Sequence, residues 1–211
     1  MRIITGTARG MNLTTLEGEA TRPTTDRVKE ALFSMLQFDL EGRKVLDLFA
    51  GSGQLALEAL SRGAAKATMI DDNREAVDVI IANAKKTKLF DRSRISASDY
   101  AAFIRAASGK ETYDVIFLDP PYHSAFLPDA LRRLAAGGLF APGALIACES
   151  EVPEGNRNGR RRADPEEEAA AMRQAVFGGD AELEEKFTVK RNALYGRVRL
   201  TLLTPKEDGN E

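Results

Sequence analysis

From Lys44 onward, short apolar runs alternate with segments of helical periodicity, and this alternation limits what the chain can fold into more than any single motif does. The runs are KVLDLF (44–49), KATMID (66–71), RISAS (94–98), YDVIFLD (113–119) and ALIACES (144–150). Between them, Gln54 to Arg62, Asn73 to about Thr87, Tyr100 to Ala107 and Phe126 to Ala136 carry helical spacing. Strands this short and this continuously apolar are covered on both faces, and helices supply the cover. The expected fold is therefore α/β, a mostly parallel, doubly wound sheet.

The flanking segments differ in pattern. MRIITG and NLTTL, with Gly10 available for the turn between them, predict a small N-terminal hairpin. TRPTTDRVKEALFSML follows as a helix, with Thr25 or Asp26 as N-cap and an apolar face of Val28, Leu32, Met35 and Leu36. The run EKFTVKRNALYGRVRLTLLT contains two alternating stretches about a central turn and reads as a hairpin closing the sheet edge. Residues 1–40 are thus expected as an N-terminal hairpin and helix extension, 41–205 as the main domain and 206–211 as a polar tail. Pro153 to Glu184 reads as a solvated insertion in which Asp164 caps a helix running to about Val176. Its cluster of Arg157, Arg160, Arg161 and Arg162 is the alternative, an RNA-gripping patch.

With 43% apolar residues and no run near the roughly 20 needed to span a bilayer, the chain is expected to be cytoplasmic, and a monomer. The beginning, MRIITGTARG, lacks the apolar core of a secretion signal. Cys148, the single cysteine, excludes an internal disulfide and sits in an apolar strand as a packing residue. A net charge of −2 excludes a uniformly basic nucleic-acid coat while leaving room for a local patch.

VLDLFAGSGQLALEAL is a strand, a glycine turn and a helix. Gly51 and Gly53 let the backbone turn sharply and approach a ligand with no Cβ in the way. The third glycine of a dinucleotide fingerprint is absent, so a pyrophosphate cradle is not expected. Asp47 faces this turn. The second strand ends in MIDDN, where Asp71, or alternatively Asp72, can accept from ribose hydroxyls. The third ends in SASDY, placing Asp99 beside Ser98 for an adenine amino group. Acids without a phosphate cradle suit a cationic, phosphate-free nucleoside, which favours S-adenosylmethionine over NAD. Helix capping is the competing role for each acid taken singly.

The fourth strand ends in DPPY, Asp119 to Tyr122. Proline cannot donate to a ladder, and two in a row stiffen the backbone at the strand end. An exocyclic amine is a weak nucleophile because its lone pair is delocalised into the ring. The Asp119 carboxylate and the Pro120 carbonyl can accept its hydrogens and orient that lone pair, and Tyr122 can stack on the base. Pro121 keeps the group rigid, and no metal is required. A plain strand-ending turn is the competing explanation. His123, the only histidine, reads as an exposed loop residue rather than a general base.

At this point the chain resembles the RsmD family, bacterial methyltransferases that modify the N2 amino group of one guanine in 16S rRNA. The resemblance rests on RIITGTARG, TRPTTDRVKEALF, VLDLFAGSGQLALEALSRGA, IFLDPPY, ALIACESE and LYGRVRLTLL, which together span nearly the whole chain. It implies a Rossmann-like methyltransferase fold of seven strands and S-adenosylmethionine as donor. Asp47, Phe49, Gly51 and Gly53 match the cofactor turn, Asp71 or Asp72 the ribose acid, Ser98 and Asp99 the adenine side, and Asp119, Pro120, Pro121 and Tyr122 the catalytic tetrapeptide. Arg9, Arg22, Thr24, Asp26 and Arg27 match the substrate-facing N-terminal motifs. Arg9 is the only basic residue between Thr7 and Gly18, and the insertion after Pro153 is longer than is usual in the family.

The partner implied is small-subunit rRNA or an assembling small subunit. Two other functions compete. One is an amino-group methyltransferase acting on DNA adenine-N6, cytosine-N4 or a glutamine side chain, and the other is an rRNA-binding assembly factor whose chemistry is incidental.

Overall fold

The computed structural model describes residues 1–16, 26–121, 125–152 and 164–206. Seven strands form one sheet: β1 (Lys44–Asp47), β2 (Lys66–Asp71), β3 (Ser93–Ala97), β4 (Tyr113–Leu118), β5 (Phe140–Glu151), β6 (Phe187–Tyr195) and β7 (Val198–Pro205). Their spatial order is β3-β2-β1-β4-β5-β7-β6. The pairs β1·β2, β1·β4, β2·β3 and β4·β5 are parallel, and β7 runs antiparallel to both β5 and β6. This is the doubly wound sheet with a closing hairpin that the alternation predicts. The order reverses between β1 and β4, and ligands of such sheets bind outside the carboxyl ends at that point.

Among the described residues, seven α-helices cover the faces: α1 (Asp26–Met35), α2 (Gln54–Ser61), α3 (Arg74–Lys86), α4 (Tyr100–Ala107), α5 (Phe126–Gly137), α6 (Pro165–Phe177) and α7 (Ala181–Glu185). Alternation along each strand divides the core in two. Val45, Phe117 and Ala147 pack with Leu32, Phe33, Leu57 and Ile80 on one side. Leu46, Leu118 and Cys148 pack with Phe103, Leu131 and Val176 on the other.

Two expectations need correction, and a third is narrowed. The N-terminal hairpin is reduced to one antiparallel bridge, Arg2 with Asn12, although Ile3 still donates to the Met11 carbonyl at 2.9 Å. The intervening amides turn instead to α2. Ile4 and Thr5 donate to the Glu58 carboxylate at 2.7 and 3.0 Å, Ala8 donates to Ser61 Oγ and Thr7 to the Ser61 carbonyl. Gly6 makes this approach possible. Its φ is +87°, and a Cβ there would lie 1.8 Å from the Ser61 carbonyl oxygen. Secondly, α1 begins at Asp26, which occupies the first turn of the helix, while the other proposed cap, Thr25, falls outside the described residues. Thirdly, the stretch expected as solvated is partly core from Asp164 onward. Asp164 does cap α6, accepting from the Glu166 amide at 2.9 Å, but Met172, Val176, Phe177 and Leu183 are buried. Gly178, at φ +66°, ends α6 and turns the chain into α7.

Candidate active site

The carboxyl ends of β1, β2 and β4 converge. Ala50 donates to the Ile70 carbonyl at 3.0 Å, and Gly51 donates to Asp71 Oδ2 at 2.8 Å, so the glycine turn is hung on the end of β2. The φ values of Gly51 and Gly53, +53° and +77°, are the left-handed geometry for which glycine is needed. The other Asp71 oxygen accepts from Asn73 at 3.0 Å, and the Asp71 carbonyl accepts from Ser98 at 2.9 Å. The turn, the β2 acid and the β3 end are therefore one connected unit. Asp72 is exposed and stands outside this network of hydrogen bonds.

Asp99 caps α4, with Oδ1 accepting from the Ala102 amide at 2.9 Å, so the capping role is real and occupies one oxygen. Next to it, Phe49, Tyr100 and Phe126 form an aromatic wall. Phe49 lies 5.2 Å from Tyr100 and stacks on Phe126 at 6.2 Å with an interplanar angle of 12°. Tyr100 donates to Asp129 Oδ2 at 2.7 Å; burial and this bond push its phenol up to about 12.

Asp47 is buried, at 1% exposure, and neither carboxylate oxygen has a hydrogen-bond partner. Burial pushes its pKa from 3.8 up to about 7. The nearby Ala56 and Phe49 amides, outside hydrogen-bonding geometry, pull the other way, and the charge of Asp71 adds to the rise. An orphaned buried carboxylate beside a glycine turn fits an ammonium group, whose charge would restore the ionised form.

Asp119, at 6% exposure, ends the strand next to β1. A gap of about 30 Å³ lined by Asp47, Gly51, Ser52, Asp119 and Met1 joins the two acids, with Ser52 Oγ donating to Met1 Sδ at 3.4 Å across its mouth. Beyond it, a cleft of about 980 Å³ opens between α5, α6 and the sheet end, lined by Pro120, Pro121, Phe126, Arg132, Glu149 and Arg199 among others.

The described site thus unites Asp47, Phe49, Gly51, Asp71, Ser98 and Asp119, while Gly53 supports the turn. Asp26 accepts from Arg2 Nε at 3.1 Å, and Arg9 and Arg27 are exposed. Arg22, Thr24, Tyr122, His123 and the Arg157, Arg160, Arg161, Arg162 cluster lie outside the described residues.

Sequence reasoning missed the anchors of the N-terminal segment. Glu58, fully buried, binds Ile4, Thr5 and, at 2.8 Å, Arg62; Lys29 lies 3.8 Å away and donates to the Arg2 carbonyl. Asn83, also fully buried, accepts from Thr14 and donates to the Thr14 and Ser52 carbonyls, each at 2.9 Å. A charged residue in the middle of a strongly apolar helix, as Glu58 is in QLALEALS, was the available signal.

Residues 1–166 match the family described as "Conserved hypothetical protein 95". "Putative rRNA methyltransferase YlbH" of Bacillus subtilis is 42% identical over 159 residues, covering 73% of this chain and 86% of that one. "Ribosomal RNA small subunit methyltransferase D" of Escherichia coli is 39% identical over 155 residues, covering 74% and 77%. A solved Escherichia coli structure, "Putative methyltransferase yhhF", superposes with a TM-score of 0.76 at 32% identity, covering 98% of each chain.

Proposed function

The chain belongs to the RsmD family, and we propose that it methylates the exocyclic N2 amino group of a guanine in 16S rRNA, with S-adenosylmethionine as donor. The observation that carries this reading is the single gap shared by Asp47 and Asp119, where a cofactor acid and a substrate acid meet. Family membership makes rRNA, free or in an assembling small subunit, the substrate to test first.

When bound, S-adenosylmethionine supplies an electrophilic methyl group. Asp47 would hold its ammonium, Asp71 its ribose, and Ser98 with the free side of Asp99 its adenine edge, against Phe49. The gap is only about 30 Å³, room for about one water. The half-exposed Met1 side chain therefore has to swing clear of Ser52 for the cofactor to enter.

On the substrate side, the Asp119 carboxylate and the Pro120 carbonyl accept the two N2 hydrogens. That holds the amine in one orientation and turns its lone pair out of conjugation towards the cofactor pocket. Asp119 then takes the proton that the amine sheds. Fixing both reactants in this way supplies at most about 7–11 kcal/mol of barrier lowering. Burial of Asp119 excludes water, which strengthens its hydrogen bonds to the amine. Tyr122 is assigned the stacking role on the base face, which contributes about 1–3 kcal/mol. The base must be unstacked to reach this depth, which costs least in looped RNA.

The test is transfer from methyl-labelled S-adenosylmethionine to small-subunit particles, protein-free rRNA and duplex DNA, followed by nucleoside analysis. Label in N2-methylguanosine is expected. Label in N6-methyladenine from DNA would overturn the substrate, and cofactor binding with no transfer to any of the three would favour an rRNA-binding assembly role.

A further inference from the structure

Asp119 and the prolines explain how an amino group is held, but not which base carries it, since adenine, cytosine and guanine all present one. The sheet register supplies a second acid. Phe117 pairs with Ala147 and Leu118 with Cys148 across β4 and β5. One residue further, Asp119 and Glu149 are therefore level on adjacent strands. Phe117 and Ala147 both pack in the first core cluster, and alternate residues share a face, so Asp119 and Glu149 project from that same face. Adjacent strands lie about 4.8 Å apart. Glu149 is 4% exposed and lines the large cleft together with Pro120 and Pro121.

We propose that Glu149 is the specificity residue that selects guanine, by accepting a hydrogen bond from guanine N1–H while Asp119 holds N2. This rests on the guanine-N2 reading above. Guanine is the amino base whose amine is flanked by a ring N–H. On adenine and cytosine the Watson–Crick neighbour of the amine is a ring nitrogen lone pair. A base that offered N6 or N4 to Asp119 would turn that lone pair towards the Glu149 carboxylate, leaving two buried acceptors facing each other. Sites built to bind a substrate N–H reject analogues that lack it far more strongly than apolar pockets reject analogues of the wrong size. A tetrapeptide usable on any planar amine thus acquires its base preference from the next strand.

The experiment compares target RNA carrying guanine with the same RNA carrying 2-aminopurine, which keeps the 2-amino group but has a lone pair at N1. The native enzyme is expected to prefer guanine in kcat/KM by about tenfold or more. Glu149→Gln is nearly isosteric and can turn its amide N–H towards that lone pair. It is expected to narrow the guanine preference at least about fivefold, with cofactor affinity unchanged. Equal losses on both RNAs, leaving the ratio intact, would make Glu149 a structural residue and overturn the proposal. So would a native enzyme that uses both bases equally, a result independent of whether the variant folds and one that leaves the guanine-N2 reading standing. Native enzyme that labels no guanine would overturn that reading, and this inference with it.

Discussion

The Gly51 amide donates to Asp71 Oδ2 at 2.8 Å, so the acid assigned to the ribose also holds the turn assigned to the amino-acid tail. Asp71→Ala removes both this tether and the Asn73 acceptor, and each lost bond to a charged group is worth about 1.5–3 kcal/mol. S-adenosylmethionine affinity is expected to fall by one to two orders of magnitude, measured by calorimetry. An affinity within twofold of native would exclude Asp71 from the cofactor site.

Asp47 makes stability depend on pH in an unusual direction for an acid. Its folded pKa of about 7 lies above the ordinary 3.8, so the native state binds more protons than the unfolded chain between these values. Its contribution is therefore complete below pH 3.8, declines as pH rises and is gone above about pH 7, a change on the order of a few kcal/mol. Asp47→Asn is expected to equal the native protein at low pH and exceed it at pH 8 in urea denaturation. Calorimetry near neutral pH in two buffers of different ionisation enthalpy should find proton release when S-adenosylmethionine binds the native protein and none from Asp47→Asn.

Asp119→Asn keeps the shape of the side chain but loses its charge and one acceptor. Methyl transfer to RNA is expected to fall at least about hundredfold in kcat, with cofactor affinity within a few-fold of native. A change confined to KM would assign Asp119 to binding alone.

Glu58→Ala strands Lys29, a buried cation whose pKa burial already lowers and Glu58 raises. Breaking such a group costs about 3–5 kcal/mol. The double variant with Lys29→Met should recover part of that loss in chemical denaturation. Additive losses would show that the two side chains act independently of each other.

The mostly parallel sheet and the acids at its strand ends were legible because short apolar runs, glycines and prolines act locally. Asp164 was legible as a cap for the same reason, and it does accept from the Glu166 amide. The N-terminal hairpin was not, because Ile4, Thr5, Thr7 and Ala8 find their acceptors on α2, more than fifty positions away. Glu149 was visible in ALIACESE but mute. Its meaning lies in which residue of β4 stands beside it, and no pattern within one strand fixes register with another. Residues 164–184 looked solvated because of their many charged and small residues, although Met172, Val176, Phe177 and Leu183 are enough to dock them.

Gly6 has a consequence for how the lineage can change. With the Ser61 carbonyl oxygen 1.8 Å from where a Cβ would stand, and φ at +87°, the position is closed to the other nineteen amino acids unless the whole N-terminal strap lifts from α2. Neighbouring Thr5 and Thr7 join that strap, among the described residues, through backbone groups alone, the Thr5 carbonyl also accepting from Ser61 Oγ at 2.6 Å, so their side chains are free to drift. Descendants of this chain should therefore diverge on either side of an immobile glycine, a fixed point set by backbone clearance rather than by chemistry.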